Sequence, residues 1–142
     1  MTANDLAQAC AERMLENDAA SRSLGITVEV AAPGRANASL EVTAAMINGF
    51  GVCHGGYLFI LADTAFAFAC NSYDRVTFAA GASIDFLRTA RAGDRLVAEA
   101  QELHRGRTRG LYEVTVRDQE DRLVACFRGR SHATDEPLLG GE

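Results

Sequence analysis

A single carboxylate interrupts the most apolar stretch of the chain. Asp63 lies within a run of largely apolar residues from Tyr57 to Cys70. Carboxylates are rarely buried unless they are paired or take part in chemistry. Desolvation raises the pKa of a buried aspartate, which suits it to act as a general base or as a nucleophile. The residue types leave one structural alternative open, in which Asp63 caps the amides of a neighbouring strand.

The sequence His54-Gly55-Gly56 comes directly before this apolar run and opens the helix that the run predicts. Glycines at the start of a helix let a ligand approach the backbone, and the unpaired amides there carry partial positive charge. Such a site can polarise a carbonyl or bind an anion. The alternative is that the glycines only permit a tight turn into the helix. Cys53 beside His54 does not indicate a nucleophile pair, because neighbours in a chain seldom present their side chains to one another.

The hydrophobic pattern predicts the elements that must position these residues. Apolar residues at helical spacing indicate a helix over residues 4–16 with Asn4 as its N-cap. A short helical turn over 18–24 ends at Gly25. Residues 54–72 form a predicted buried helix. Apolar and β-branched patterning predicts the strands, which cover residues 26–30, 38–42, 76–87, 95–104, 111–116 and 123–133.

The predicted order is helix, two strands, long apolar helix and four strands. Consecutive strands joined by short turns favour an antiparallel sheet, and one apolar helix needs that sheet wrapped around it. The fold class is therefore α+β. At 142 residues the chain suits one domain, residues 1–142, with an N-terminal helical segment over 1–24 and a frayed tail over 134–142.

The charge balance disfavours a general nucleic-acid binder. The formal net charge is −5, whereas phosphate neutralisation needs a cationic face. We expect no signal peptide, because the first seventeen residues carry three acidic side chains and lack an apolar region. No apolar run is long enough to span a membrane, so we expect a cytoplasmic protein with reduced thiols. The four cysteines form no CxxC pair and no zinc spacing with the histidines, and no metal site is expected.

Four features in combination carry a family resemblance. HGG stands at the helix start, an aspartate follows its histidine by nine residues, an asparagine precedes it by six, and a run of strands follows. This combination resembles the hotdog-fold acyl-CoA thioesterases over nearly the whole chain. The stretch NGFGVCHGGYLFILADTAFAFACNS, with SIDFLR and FRGRSH after it, looks very like the PaaI-type thioesterases of bacterial phenylacetate degradation. The resemblance implies a hotdog fold, in which the antiparallel sheet wraps around the long helix.

The resemblance also implies a role for each motif residue. In such enzymes the acidic residue of the long helix, here Asp63, activates water or attacks the thioester. The backbone amide of Gly55 would polarise the thioester carbonyl, with His54 ordering the loop. Asn48 would orient the reacting water or carbonyl, and Ser83 would lie near the attacking water. The implied reaction hydrolyses aryl-acetyl-CoA thioesters, such as phenylacetyl- or hydroxyphenylacetyl-CoA, and needs no cofactor beyond the CoA of the substrate.

The spacing of Gly55 and Asp63 points to a site shared by two chains. Eight residues of helix separate them, about 12 Å at 1.5 Å per residue. A thioester carbonyl must lie within about 3 Å of both its hydrogen-bond donor and its attacking group. Two chains related by a twofold axis can bring Gly55 of one beside Asp63 of the other. We therefore expect a homodimer with shared active sites, and the resemblance implies a pair of such dimers, a homotetramer.

Arginines are the candidates for binding the phosphates of CoA, which require local positive charge in an acidic protein. Arg105 and Arg107 share one face of a predicted strand, as do Arg128 and Arg130. Arg88 lies at another strand end. The alternative is that these arginines only cover solvated faces.

Two other functions stay open at this point. Hydratases and dehydratases of acyl thioesters also use this fold, but such sites generally pair a catalytic histidine with an acid, and His54 is placed for positioning. A non-catalytic acyl-CoA-sensing module would normally need an attached DNA-binding segment, and residues 1–24 hold only two basic residues.

The sequence also leaves the acyl group of the substrate open. The aromatic residues near the helix could line a pocket or fill the core: Phe59, Phe66, Phe68 and Phe86.

Overall fold

The computed structural model describes residues 1–140, which form three α-helices and six strands in the predicted order. The helices are α1 (Ala3–Glu16), α2 (Ala19–Leu24) and α3 (Gly55–Cys70), with a short 3-10 helix at Ala44–Met46. The strands are β1 (Thr27–Ala32), β2 (Arg35–Glu41), β3 (Thr77–Phe86), β4 (Arg95–Arg105), β5 (Arg109–Arg117) and β6 (Leu123–Ala133). No helix in this part of the chain is long and apolar enough to cross a membrane. In the same residues no three histidine, cysteine, aspartate or glutamate side chains form a group that could hold a metal ion.

All six strands belong to one sheet with the order β1-β2-β4-β5-β6-β3. Every pairing is antiparallel, as predicted. The four strands after α3 are not all neighbours, however, because β3 pairs with β6 and β4 pairs with β2. The connection from β3 to β4 therefore crosses the sheet instead of closing a hairpin, and β3 becomes an edge strand.

Alanines on β2 and β4 let α3 lie close to the middle of the sheet. Ala36 is opposite Ala100 and Ala38 is opposite Ala98, and all four side chains are buried. Short side chains at these positions leave room for the helix, so that its own larger residues can fill the space densely. The core therefore lies mainly between α3 and the inner face of the sheet, as the apolar run of α3 predicted, and the buried Ala7 and Ala11 of α1 add to it.

The N-cap of α1 is Thr2 and not Asn4 as predicted. The side-chain oxygen of Thr2 accepts a hydrogen bond from the Asp5 amide at 3.0 Å, and the Asp5 carboxylate accepts one from the Thr2 amide at 3.0 Å. This reciprocal pair is a capping box, and it leaves Asn4 inside the helix. Gln8 then ties α1 to β1 through a hydrogen bond to the carbonyl of Val30.

The C-terminal segment is held to the rest of the chain over most of its length. The Thr134 amide donates to the Val76 carbonyl at 2.9 Å, and the Leu139 amide donates to the Asp74 carboxylate at 2.7 Å. The expected fraying over 134–142 does not fit these contacts. The acceptor groups lie about 60 residues earlier in the chain. The local sequence of the tail therefore could not predict these hydrogen bonds. The last two residues of the expected tail lie outside the described residues.

Gly129→Ala is expected to lower the free energy of unfolding by about 1–3 kcal/mol. A Cβ at this position of β6 would stand 2.6 Å from the ring of Phe66, which is buried between α3 and the sheet. Chemical denaturation measures the loss. Gly49→Ala is the matched control, since a Cβ at Gly49 meets no atom within 4 Å. An equal loss in both variants would contradict the packing argument.

Candidate active site

His54 is the N-cap of α3 and holds the first turn of the helix in place. Its Nδ1 atom accepts a hydrogen bond from the Gly56 amide at 3.1 Å, and its own amide donates to the Met46 carbonyl at 2.9 Å. In the structure His54 therefore orders the loop and the helix start, which is the role that the resemblance implied.

The backbone amide of Gly55 is the first of α3 and has no acceptor within the helix. Nor does any other group of residues 1–140 accept its hydrogen. The partial positive charge of the helix N-terminus adds to the attraction of this amide for a carbonyl oxygen or an anion. Gly55 thus presents the free donor that a carbonyl-polarising site needs.

A cleft of about 480 Å³ lies beside Gly55. Its apolar walls include Leu58, Phe86 and Leu87, and Arg88 lines it as well. The ring of Phe86 is so close that a Cβ placed on Gly55 would stand 3.1 Å from the ring atom Cζ. Glycine is therefore the residue type that lets the helix start and this ring lie side by side without displacement.

Asp63 lies on a stripe of α3 that the chain leaves partly open. Gly56, Ile60 and Ala67 share this stripe at helical spacing, and none of the four residues is fully buried. Desolvation by partial burial raises the pKa of Asp63, and no hydrogen bond or basic side chain of residues 1–140 offsets it. The structural alternative, in which Asp63 caps the amides of a neighbouring strand, therefore finds no support in the described chain.

Gly55 and Asp63 stay apart within one chain. Both belong to α3, where eight residues separate them by about 12 Å along the helix axis. An aspartate side chain does not span that distance. One chain therefore does not bring the free amide and the carboxylate together around a single thioester.

Asn48 uses its side-chain oxygen to order the loop before α3. Oδ1 accepts hydrogen bonds from the amides of Phe50 at 2.9 Å and Val52 at 3.3 Å, and the Asn48 amide donates to the Val52 carbonyl at 2.8 Å. Gly51 completes the turn with a φ of 79°, a conformation that glycine adopts without strain. Only the Nδ2 group of Asn48 is then left to orient a water or a carbonyl, the role that the resemblance implied.

The structure does not bring Ser83 to Asp63. Ile84 packs against the core and lies opposite the buried Phe127 of β6, so its side chain faces α3. Neighbouring residues of a strand point to opposite faces of the sheet. Ser83, which lies opposite Arg128, therefore faces away from the helix. Within one chain, Ser83 is therefore not oriented to lie near a water that Asp63 activates, as the resemblance had implied.

Two of the five candidate arginines lie at the opposite end of α3 from Gly55. The Arg105 guanidinium stacks on the ring of Tyr73, 3.6 Å from its centroid, and Tyr73 follows the C-terminus of α3. α3 has 16 residues, which places about 24 Å between its ends. Arg107 lies just beyond Arg105, and its carbonyl accepts a hydrogen bond from Arg75 at 2.8 Å. Neither arginine is near the Gly55 cleft of its own chain.

The other three candidates divide between the outer face of the sheet and the cleft. Arg128 and Arg130 are exposed on the face of β6 that points away from α3. The Arg128 guanidinium lies 3.6 Å from the Glu113 carboxylate. Arg88 is the candidate that lines the cleft beside Gly55. The five arginines therefore do not form one phosphate site in a single chain.

The aromatic residues near α3 divide into core residues and one exposed ring. Phe66 and Phe68 are buried, and Phe59 packs edge-on against Phe127 with 5.3 Å between ring centroids. Phe86 is 54% exposed and lines the cleft. The sequence alone did not separate them, because the predicted strand over 76–87 continues past Phe86, whereas the strand of the structure ends at this residue.

Comparisons with known proteins bear on the family of this chain. The family model of the thioesterase superfamily matches residues 50–125. Acyl-coenzyme A thioesterase PaaI of Escherichia coli (strain K12) is 46% identical over 130 residues, which cover 92% of this chain and 93% of that protein. The structure of the E. coli PaaI protein from the phenylacetic acid degradation operon has a TM-score of 0.93 at 44% identity and covers 96% of this chain and 99% of its own. A Streptococcus mutans protein bound to acetyl-CoA has a TM-score of 0.75 at 27% identity, over 79% of this chain and 90% of that chain.

These relatives confirm the predictions made about fold and enzyme class. The predicted hotdog fold and α+β class are those of the solved E. coli PaaI structure, and the helices and strands of this chain fit them. The same relatives favour hydrolysis over the hydratase and acyl-CoA-sensing alternatives. The chain belongs to the thioesterase superfamily, as an acyl-CoA thioesterase of the PaaI type.

Proposed function

We propose that this enzyme hydrolyses aryl-acetyl-CoA thioesters, such as phenylacetyl- or hydroxyphenylacetyl-CoA, to the free acid and CoA. The observation that carries the chemistry is the carboxylate of Asp63, which is half-buried and has a pKa raised by desolvation alone. The aryl-acetyl group is supported by the relative from the phenylacetic acid degradation operon, which matches nearly the whole chain. The proposal includes no cofactor beyond the CoA of the substrate.

Gly55 and Asp63 have separate tasks in this hydrolysis. The Gly55 amide binds the carbonyl oxygen and stabilises the negative charge that develops on it. As a general base, Asp63 takes a proton from a water whose oxygen bonds to the carbonyl carbon; the carbon–sulfur bond then breaks, and the CoA thiolate leaves and is protonated. As a nucleophile, Asp63 bonds to the carbonyl carbon itself and expels the thiolate, and water hydrolyses the resulting anhydride.

The proposed site needs two chains, and β3 is the edge at which they would meet. β3 ends the sheet, so within residues 1–140 only one side of its backbone has a strand partner. Long unprotected edge strands tend to pair with other chains. Leu87, just beyond the end of β3, is 56% exposed, and the open stripe around Asp63 is otherwise apolar. A twofold axis near this edge would bring Gly55 of one chain to Asp63 of its partner, and two such dimers would form a tetramer.

His54 and Asn48 act as positioning residues in this proposal. His54 orders the amides at the helix start, and Asn48 orders the loop that leads into it. Ser83 has no part in the chemistry of its own chain, because it lies on the outer face of the sheet. Arg88 is proposed to bind a phosphate of CoA, since it is the candidate arginine that lines the cleft.

Arg88→Ala is expected to raise KM for acyl-CoA by about ten-fold, with kcat changed by less than about two-fold. A guanidinium–phosphate contact involves no reacting atom, so it stabilises the bound substrate and the transition state alike. Salt screens such a contact, so KM of the wild type should rise more steeply with ionic strength than KM of the variant.

Arg95→Ala is the matched control for this prediction, because Arg95 is an exposed arginine at the start of β4 and does not line the cleft. Steady-state kinetics at two or more salt concentrations measure both variants. An unchanged KM in Arg88→Ala would mean that the CoA phosphates bind elsewhere, and the other four candidate arginines would then be tested in turn.

A hydrolysis panel tests the proposed substrate class. Thiol release from phenylacetyl-, hydroxyphenylacetyl-, benzoyl- and straight-chain acyl-CoAs is followed with a thiol reagent. We expect kcat/KM for the aryl-acetyl substrates to exceed that for straight-chain substrates of similar length by about ten-fold or more. A preference for straight chains would contradict the aryl-acetyl assignment and would leave the membership of the thioesterase superfamily unchanged.

A further inference from the structure

Phe86 is the aromatic residue near α3 that the core does not use. The rings of Phe59, Phe66 and Phe127 pack against one another or against Tyr112. Phe86 makes no ring–ring pair within residues 1–140, and more than half of it is exposed. An aromatic face is thus left free at the end of β3.

The free ring lies directly beside the amide that is proposed to bind the substrate carbonyl. A Cβ on Gly55 would be 3.1 Å from Cζ and 3.2 Å from Cε1 of Phe86, which puts the ring edge in contact with the helix start. A thioester whose carbonyl oxygen accepts the Gly55 hydrogen has its carbonyl carbon within a few ångströms of that oxygen. The first atoms of the acyl group therefore come within reach of the ring.

The lining of the cleft suits an apolar acyl group. Leu58 and Leu87 join Phe86 in its walls, and its volume of about 480 Å³ lies within the range of small-ligand pockets. Arg88 follows Phe86 by two residues, a span of at most about 7 Å. The cleft thus offers an aromatic wall beside the carbonyl site and a cation further along for the coenzyme.

We infer that Phe86 selects the acyl group, by packing its ring against the aryl part of the bound thioester. The inference rests on the proposed function, because it takes the Gly55 amide as the site of the carbonyl. Aromatic pairs gain stability beyond the area that they bury, through offset-stacked or edge-to-face contacts. A straight acyl chain gains no such contact, and Phe86 therefore discriminates between the two substrate classes.

Phe86→Leu tests the inference, because leucine keeps an apolar wall and removes the ring. We expect the ratio of kcat/KM for phenylacetyl-CoA to kcat/KM for hexanoyl-CoA to fall by about two- to ten-fold. Most of the change should come from the aryl substrate. Phe78→Leu is the matched control: Phe78 is on the same strand, is 60% exposed and lies opposite the outward-facing His132, so its replacement should leave the ratio unchanged.

Two results would overturn the inference. An equal loss of kcat/KM for both substrates would mean that the ring contacts the shared CoA portion. An unchanged ratio would mean that it contacts no acyl group, and size-exclusion chromatography would then show whether Phe86→Leu weakens subunit association instead. Failure of the proposed function is distinguishable from either result, since it appears in the wild-type panel. The wild type could prefer straight chains while the ratio of kcat/KM values is still lower in Phe86→Leu than in the wild type. That result would contradict the substrate assignment and support the role of Phe86.

Discussion

Asp63→Asn is expected to lower kcat by about 10²- to 10⁴-fold, while KM for acyl-CoA changes little. The substitution keeps the volume of the side chain and removes the group that takes the proton or attacks the carbonyl. The loss therefore falls on the transition state and not on ground-state binding. Thiol release over a range of acyl-CoA concentrations separates the two constants. A near-native kcat in this variant would end the proposed mechanism.

The pH profile of the wild type gives a second readout of the same carboxylate. Burial raises the pKa of Asp63 above the usual aspartate value of about 3.9. Because the charged form is the active one, kcat should fall as the pH drops through this raised pKa. The acidic limb of the profile should therefore lie at higher pH than an exposed aspartate would give. The residual activity of Asp63→Asn should lack this limb.

The expected loss of turnover in Asp63→Asn should not come from a loss of folding. The folded chain binds the Asp63 proton more tightly than the unfolded chain does, because desolvation raises its pKa. The contribution of Asp63 to the free energy of unfolding therefore falls as the pH rises from its pKa in the unfolded chain through its pKa in the folded chain. At neutral pH the carboxylate is charged, and its charge opposes folding. Asparagine carries no such charge. Thermal unfolding at neutral pH should find Asp63→Asn at least as stable as the wild type, and a lower Tm would indicate a structural role.

α3 and its N-terminus could be predicted from the sequence because local signals determine them. A long apolar run predicts a helix that must be covered by a sheet. A histidine followed by two glycines marks the start of that helix, and the structure has His54 as its N-cap. The free amide of Gly55 follows from helix geometry, as does the distance of about 12 Å between Gly55 and Asp63.

Strand neighbours and strand faces could not be predicted, because they depend on contacts between distant segments. A shift in register between Ala79 and Gly81 interrupts the alternation of β3, so a count from the start of the strand does not carry through to Ser83. The arginines show the same limit. Arg105 and Arg107 are spaced as residues on one face of a strand, which would suit a phosphate site. In the structure, however, Arg105 stacks on Tyr73, a partner that no local pattern predicts.

Mixed dimers of two inactive variants are expected to regain up to about a quarter of the wild-type activity. Asp63→Asn lacks the carboxylate, and Gly55→Pro lacks the amide hydrogen that binds the carbonyl. When equal amounts are mildly unfolded, mixed and refolded, random pairing makes about half of the dimers mixed. One of the two sites in each mixed dimer then joins an intact Gly55 to an intact Asp63. Activity per total protein, measured against the mixing ratio, gives the recovery.

The geometry of the helix start makes Gly55→Pro a suitable partner in this experiment. Gly55 is the first residue of α3, where proline is well tolerated, and His54 before it has the extended backbone that a following proline requires, with φ −62° and ψ 135°. Gly55→Ala is the matched control, because its Cβ meets Phe86 at 3.1 Å while its amide remains. Gly55→Pro should be far less active than Gly55→Ala, which separates loss of the donor from displacement of the ring.

Recovery in the mixture requires a site that two chains share, provided that both inactive variants are folded dimers. A site within one chain predicts no recovery, because every chain still carries one lesion. No recovery at any mixing ratio would refute the shared site. The donor for the carbonyl would then have to lie within reach of Asp63 on its own chain, and Gly55, about 12 Å away along the helix, would not be that donor.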